Sequence, residues 1–137
     1  MISMLKTTCI HPDIMRVLSL CGHGDKILIA DGNYPLNSKT GSAEKVYLGL
    51  TNGSPTVTEV LKVISGVVNI EKAEVMVPDG EQPPIFSEFK QILGGMELSG
   101  LKRFDFYDTC CKPDLRLAIS TGENRMFANI LLTINVA

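Results

Sequence analysis

Residues 21–35 read CGHGDKILIADGNYP. The five residues Lys26–Ala30 are short, apolar and fenced by turn formers on both sides. A run of that length reads as a strand buried on both faces. Such a strand belongs inside a sheet covered by helices, and the flanks supply them. Upstream, His11-Pro12-Asp13 opens a helix, with proline near the first helical position. Ile14, Val17, Leu18 and Cys21 follow at helical spacing, and Gly22 stands where a C′ residue ends the helix. Downstream, residues 32–44 are rich in Gly, Asn, Pro and Ser and read as a loop.

Further along, the same signals alternate. KVYLGL (45–50) reads as a second strand. Ser54-Pro55 starts a helix, with Thr56 and Glu59 at capping-box spacing. Its apolar stripe is Val57, Val60, Leu61, Ile64 and Val68. AEVMV (73–77) is a third strand. Pro83-Pro84 precedes a helix carrying Phe86, Phe89, Ile92 and Leu93, ended by Gly94-Gly95. In residues 103–107, Phe104 and Phe106 alternate with Asp105, which predicts a strand or extended segment. LRLAIS (115–120) and ILLTINV (130–136) are the last strands. Only residues 121–129 separate them, too few for a helical crossover, so some antiparallel pairing is expected. The fold class that follows is α/β: a single domain over residues 1–137, with helices packed on a central mixed β-sheet.

Composition narrows the function classes. The chain has 137 residues, 45% of them hydrophobic, and a formal charge of −2. Mean hydropathy is +0.16. There is no basic cluster, which argues against nucleic acid or an anionic membrane as partner. The low charge content suggests much buried surface, part of it a subunit interface. The N-terminal MISMLKTTCI lacks the apolar core and cleavage site of a leader, and no stretch approaches the roughly 20 apolar residues of a membrane helix. The cytoplasm is the default. Cys9, Cys21, Cys110 and Cys111 form no Cys-x-x-Cys pair and read as reduced, small apolar residues. The sequence contains no Walker loop, G-x-G-x-x-G, G-x-S-x-G or H-E-x-x-H. With only two histidines, no metal site is expected.

Several polar residues stand at informative places. His11 sits at a helix entrance, where it caps or faces solvent. His23 lies between two glycines that remove bulk and permit unusual backbone angles. It serves either as a proton-transfer group or as part of a helix-stop loop. Asp31 ends the buried strand, a place favoured by ligand sites and equally by turns. Arg103 beside aromatic rings suits a polyhydroxylated ligand or a plain salt bridge. Asn129, before the last strand, could donate to and accept from sugar hydroxyls, or form a turn.

Taken together, these residues resemble a known family. Gly22-His23-Gly24-Asp25 followed by Asp31-Gly32-Asn33-Tyr34-Pro35 resembles the signature of the RbsD/FucU family, the D-ribose pyranases and L-fucose mutarotases. Arg103-Phe104-Asp105-Phe106-Tyr107 is similar to the R-F-x-F-Y segment of the mutarotase branch. Thr121-Gly122-Glu123 and Ala128-Asn129-Ile130-Leu131-Leu132 also match, and order and spacing agree from Met4 onward. The resemblance implies an isomerase that interconverts cyclic forms of a monosaccharide, with L-fucose or a related sugar as the expected substrate and neither metal nor organic cofactor. It also implies a homo-oligomer, a decameric ring among the forms expected, with sites near subunit interfaces. His23 falls on the family's histidine, Asp31 and Asn129 on sugar-binding positions, and Arg103 on the mutarotase arginine.

One position departs from the pattern. Phe127 stands where the family usually has tyrosine. The ring is kept and the hydroxyl is lost. If that hydroxyl relays a proton, catalysis is weakened. If it only bonds a sugar hydroxyl, affinity or specificity changes by about 0.5–1.5 kcal/mol. Tyr107 or Tyr34 could supply a hydroxyl instead. The expected mechanism makes His23 the acid/base that opens the hemiacetal, with Asp31, Arg103, Phe127 and Asn129 around the sugar. The spacing raises a difficulty. A straight strand over residues 26–30 separates its ends by about 13–17 Å, and His23 and Asp31 lie beyond opposite ends. Either the Gly-His-Gly loop folds back, or each residue serves a site completed by a neighbouring subunit.

Overall fold

The computed structural model describes residues 4–137. Residues 1–3, part of the N-terminal stretch read above for a leader, lie outside the described residues. The element order is α1 (Pro12–Leu20), β1 (Lys26–Ala30), β2 (Glu44–Tyr47), α2 (Val57–Ser65), β3 (Ile70–Met76), α3 (Ile85–Ile92), β4 (Leu98–Leu101), α4 (Arg103–Cys110), β5 (Leu115–Ser120) and β6 (Ile130–Ile134). The six strands form one sheet in the order β2-β5-β1-β6-β3-β4. β2, β5 and β1 run parallel to one another, as do β3 and β4. β6 pairs antiparallel with both β1 and β3. The expected mixed sheet is present. The short link between β5 and β6 does not make them neighbours, because β1 lies between them.

Side-chain alternation along β1 divides the core into two layers. Ile27 and Ile29 face the layer built by Ile14, Val17 and Leu18 of α1, Val57, Val60, Leu61 and Ile64 of α2, and Ile85, Phe86 and Phe89 of α3. Leu28 and Ala30 face the opposite layer, with Leu131, Met76, Phe106, Tyr107 and Cys110, closed by Tyr34, Leu36 and Ala43 from the loop after β1. Helix starts follow the sequence signals. His11 Nδ1 accepts from the Ile14 N–H at 3.4 Å. Thr56 and Glu59 complete a capping box, each side chain accepting the other's backbone N–H at 3.2 Å.

Four expectations need correction. Residues 103–107 are not extended but open α4. The two phenylalanines do not share a face: Phe106 is fully buried while Phe104 is 70% exposed. The inward set is Phe106, Tyr107 and Cys110, a helical i, i+1, i+4 spacing that the alternation of Phe104 and Phe106 disguised. β4 was missed because LSGL is short and contains a glycine. A Cβ on Gly100 would stand 2.7 Å from Val77 Cγ1, so the Val77 side chain packs closely on the glycine. Val68 falls beyond the end of α2 at Ser65. Finally, Gly22 does not supply a left-handed helix cap; α1 ends on Cys21 in extended conformation, and it is Gly24 that takes φ +92°.

A helix at 103–110 makes two phenylalanine truncations unequal. Phe106→Ala should cost about 3–5 kcal/mol of stability. Phe104→Ala should stay within about 0.5 kcal/mol. Urea denaturation of both variants checks this; equal losses would return residues 103–107 to a strand.

Candidate functional site

The site begins where β1 ends. Asp31 follows Ala30 and is 2% exposed. Its Oδ1 accepts the backbone N–H groups of Asn33 and Tyr34, both at 3.0 Å, which forms the turn after the strand. Its Oδ2 accepts the Ala128 N–H at 3.2 Å and the Asn129 side-chain amide at 3.4 Å. The Asp31 N–H in turn donates to Asn129 Oδ1 at 2.8 Å. Burial pushes the Asp31 carboxyl above its ordinary range, opposed by the N–H groups of Asn33, Ala128 and Tyr34 and assisted by the charge of Glu123. A carboxylate has about four acceptor positions, and Asp31 has filled them from its own chain. It clamps the start of β6 to the end of β1.

That clamp holds an unusual backbone. Phe127 has φ +57°, the one positive φ of a non-glycine residue among the described residues. A bulky residue there stores strain on the order of 1 kcal/mol, retained only where the surroundings overdetermine it. Here the following two residues are held by Asp31.

Around this point lies a cleft of about 460 Å³, lined by Asp31, Asn33, Tyr34, Met76, Arg103, Tyr107, Met126, Phe127 and Asn129. Arg103 comes from the first turn of α4. Its guanidinium carbon lies 5.4 Å from the Phe104 ring centroid and 5.6 Å from that of Tyr107. Its Nε donates to the Tyr107 hydroxyl at 3.1 Å. Among the described residues no carboxylate pairs with Arg103, so its two Nη groups remain for a ligand. The Tyr34 hydroxyl, by contrast, donates to the Lys39 carbonyl at 2.8 Å. The cleft therefore offers hydrogen-bond donors from Arg103 and Asn129 beside an apolar wall of Met76, Met126 and Phe127. The one carboxylate among the described residues that line it, Asp31, has both oxygens bonded by the chain.

The structure thus brings together Asp31, Arg103, Phe127, Asn129, Tyr107 and Tyr34, and leaves His23 out. His23 lies before β1, at the strand end opposite Asp31. Its side chain is 56% exposed, and its Nε2 is 2.5 Å from Glu71 Oε1. The glycines beside it clear no steric obstacle within the chain: a Cβ on either would meet nothing within 4 Å. The Gly-His-Gly loop does not fold back along the strand.

Sequence reasoning matched Thr121-Gly122-Glu123 without giving it a role. Glu123 is 2% exposed. It accepts Arg125 Nε at 3.0 Å, Arg125 Nη2 at 2.9 Å and the Val57 N–H at the start of α2 at 3.3 Å. Arg125 continues to Glu88 of α3 at 2.7 Å. The Glu123 carbonyl accepts the Gly32 N–H at 2.8 Å, next to Asp31. Gly122 packs so closely that a Cβ would lie 2.4 Å from the Ser54 carbonyl oxygen. The arm carrying Phe127 and Asn129 is thereby anchored to two helices. No sequence pattern announces Glu88 as a partner, since 37 positions separate it from Arg125.

The comparisons with known proteins fit this architecture. The model of the RbsD / FucU transport protein family matches residues 4–137. A D-ribose pyranase from Staphylococcus haemolyticus is 34% identical over 136 residues, which cover 97% of this chain and 98% of that protein. The fucose mutarotase of Homo sapiens is 33% identical over 137 residues, covering 90% and 86%. The crystal structure of the fucose mutarotase in complex with L-fucose from Streptococcus pneumoniae aligns with a TM-score of 0.82 at 27% identity, over 97% of this chain and 99% of that one.

Burial alone would raise the Glu123 carboxyl, but the bonds from Arg125 and from the Val57 N–H outweigh it and hold it below the ordinary range. A carboxyl lowered on folding stabilises the fold above its unfolded pKa, and that contribution disappears as pH falls through the folded value. Glu123→Gln should therefore lower the thermal midpoint at pH 7 and flatten the loss of stability below pH 4.5. Thermal melts of both proteins between pH 3 and pH 7, values on the order of the carboxyl range, test this.

Proposed function

Because the chain belongs to the RbsD/FucU family, we propose that it interconverts cyclic forms of a free monosaccharide by opening and reclosing the hemiacetal. The observation that carries this reading is the single cleft shared by Asp31, Arg103, Phe127 and Asn129. Asn129 and the Arg103 fork grip sugar hydroxyls, the Phe127 ring and the methionines cover an apolar face, and Asp31 sets the geometry of the arm.

The cleft needs an acid/base, and His23 is the group suited to supply it near neutral pH. With His23 at the far end of β1, it reaches a cleft only in a second copy of the chain. The functional unit is accordingly a homo-oligomer with sites at subunit boundaries. In the reaction, the imidazole takes the proton of the anomeric hydroxyl. The bond from C1 to the ring oxygen breaks, the ring oxygen takes a proton from the imidazolium, and C1 becomes a carbonyl carbon. Rotation about C1–C2 and reclosure give the other anomer. Positioned proton transfer of this type contributes about 10²–10⁴-fold, enough for a reaction that already proceeds in water. No metal or organic cofactor enters these steps. The cysteines, free in this chain, support the reducing cytoplasm as its location.

The segment RFDFY (103–107) favours L-fucose or a related sugar. A D-ribose pyranase is the second reading, favoured by the name of the Staphylococcus haemolyticus relative. A non-catalytic sugar-binding protein is the third, favoured by phenylalanine at position 127.

Magnetisation exchange between anomer protons, with catalytic protein added to L-fucose, D-ribose or D-galactose, tests the reaction and names the sugar. Faster α/β exchange in L-fucose supports the mutarotase. Faster appearance of furanose signals in D-ribose supports the pyranase. Binding without exchange leaves the sugar-binding protein. Shared sites make a second expectation: His23→Gln and Arg103→Ala are each inactive alone, and co-expressed they regain exchange. Failure to complement, with wild-type protein active, would put the whole site in one chain.

A further inference from the structure

Phe127 offers no hydroxyl to the cleft it lines. Two tyrosines line that cleft with it, Tyr34 and Tyr107. Tyr34 is committed elsewhere, since its hydroxyl donates to the Lys39 carbonyl at 2.8 Å. Tyr107 differs. Its hydroxyl accepts from Arg103 Nε at 3.1 Å, and this is its one side-chain hydrogen bond among the described residues. The oxygen is used as an acceptor and its own proton is still to be given.

The ring that carries this hydroxyl is fixed. It sits on α4, with the Tyr34 ring against it at 5.3 Å and 77° and the Phe104 ring at 6.0 Å and 82°. Tyr107 is 9% exposed and lines the cleft. Freedom is left only to the O–H rotor. A donor bond from a guanidinium polarises a hydroxyl toward donating its own proton in the next bond of a chain. Arg103, Tyr107 and a ligand oxygen would form such a chain.

We propose that the Tyr107 hydroxyl donates a hydrogen bond to an oxygen of the bound sugar, a bond that a hydroxyl at position 127 would otherwise make. This rests on the monosaccharide reading of the cleft. It makes Tyr107 a group in direct contact with substrate.

Tyr107→Phe keeps the ring and removes the hydroxyl, but it also removes the acceptor of Arg103 Nε. Phe127→Tyr in that background separates the two effects, because it returns a hydroxyl to the cleft without returning that acceptor. Tyr107→Phe should lower the anomer exchange rate per site by about 3–10-fold, the range of a neutral hydrogen bond. The double variant should regain most of the loss, with thermal midpoints confirming that all variants fold. Unchanged exchange in Tyr107→Phe overturns the proposal. So does a loss that Phe127→Tyr fails to restore, since Tyr107 then acts only by positioning Arg103. Wild-type protein without exchange in any sugar defeats the enzymatic reading separately. The same variants are then compared by NMR titration with L-fucose, where weaker binding restored by Phe127→Tyr supports the proposal. Equal affinities, or no binding by the wild type, overturn it.

Discussion

The carboxylate of Asp31 is the constraint on which the site depends. It gathers four donors from two stretches of chain nearly a hundred residues apart. Two of them form the turn after β1, and two hold the approach to β6. Because β1 and β6 are hydrogen-bonded neighbours at the centre of the sheet, the clamp fixes the strand ends from which the Phe127 and Asn129 wall of the cleft starts. Burial makes this charge costly, and the N–H groups around it offset the cost. Removing those donors would leave an uncompensated buried carboxylate. That energetic penalty ties the positive φ of Phe127 to the fold itself.

A second carboxylate extends the same logic outward. Glu123 and Arg125 connect the arm to the start of α2 and to α3, so the helical layer on one face of the sheet supports a cleft on the other. The cleft is thus tied to the fold on its Phe127 and Asn129 side. On the opposite side, Arg103 rests on two aromatic rings and one phenol and keeps its fork open. Donors are concentrated in the cleft and the imidazole stands at the far end of β1. The proposed assembly of copies is what would bring the two together.

Much of the fold was legible because local chemistry announced it. Lys26–Ala30 has the length and apolarity of a buried strand, and turn residues bound it. Thr56 and Glu59 form the capping box their spacing promised. Residues 103–107 were misread because alternation over five residues cannot distinguish a strand from a helix whose outer turn carries an exposed phenylalanine. No capping side chain marks the start of α4 to correct the reading. β4 escaped because it is held by pairing with β3 and by close packing at Gly100, neither of which is a property of its own four residues.

By itself the sequence determined the strand at 26–30, three of the four helices, the α/β class and the residue types available for sugar chemistry, because each rests on interactions within a few positions. Tertiary structure alone decided which of those residues share a cleft. It made Asp31 a clamp and Glu123 a junction between helices, and it set His23 apart. Those outcomes depend on strand order and on which helix covers which face of the sheet. They arise from contacts between segments that sequence spacing does not bring together.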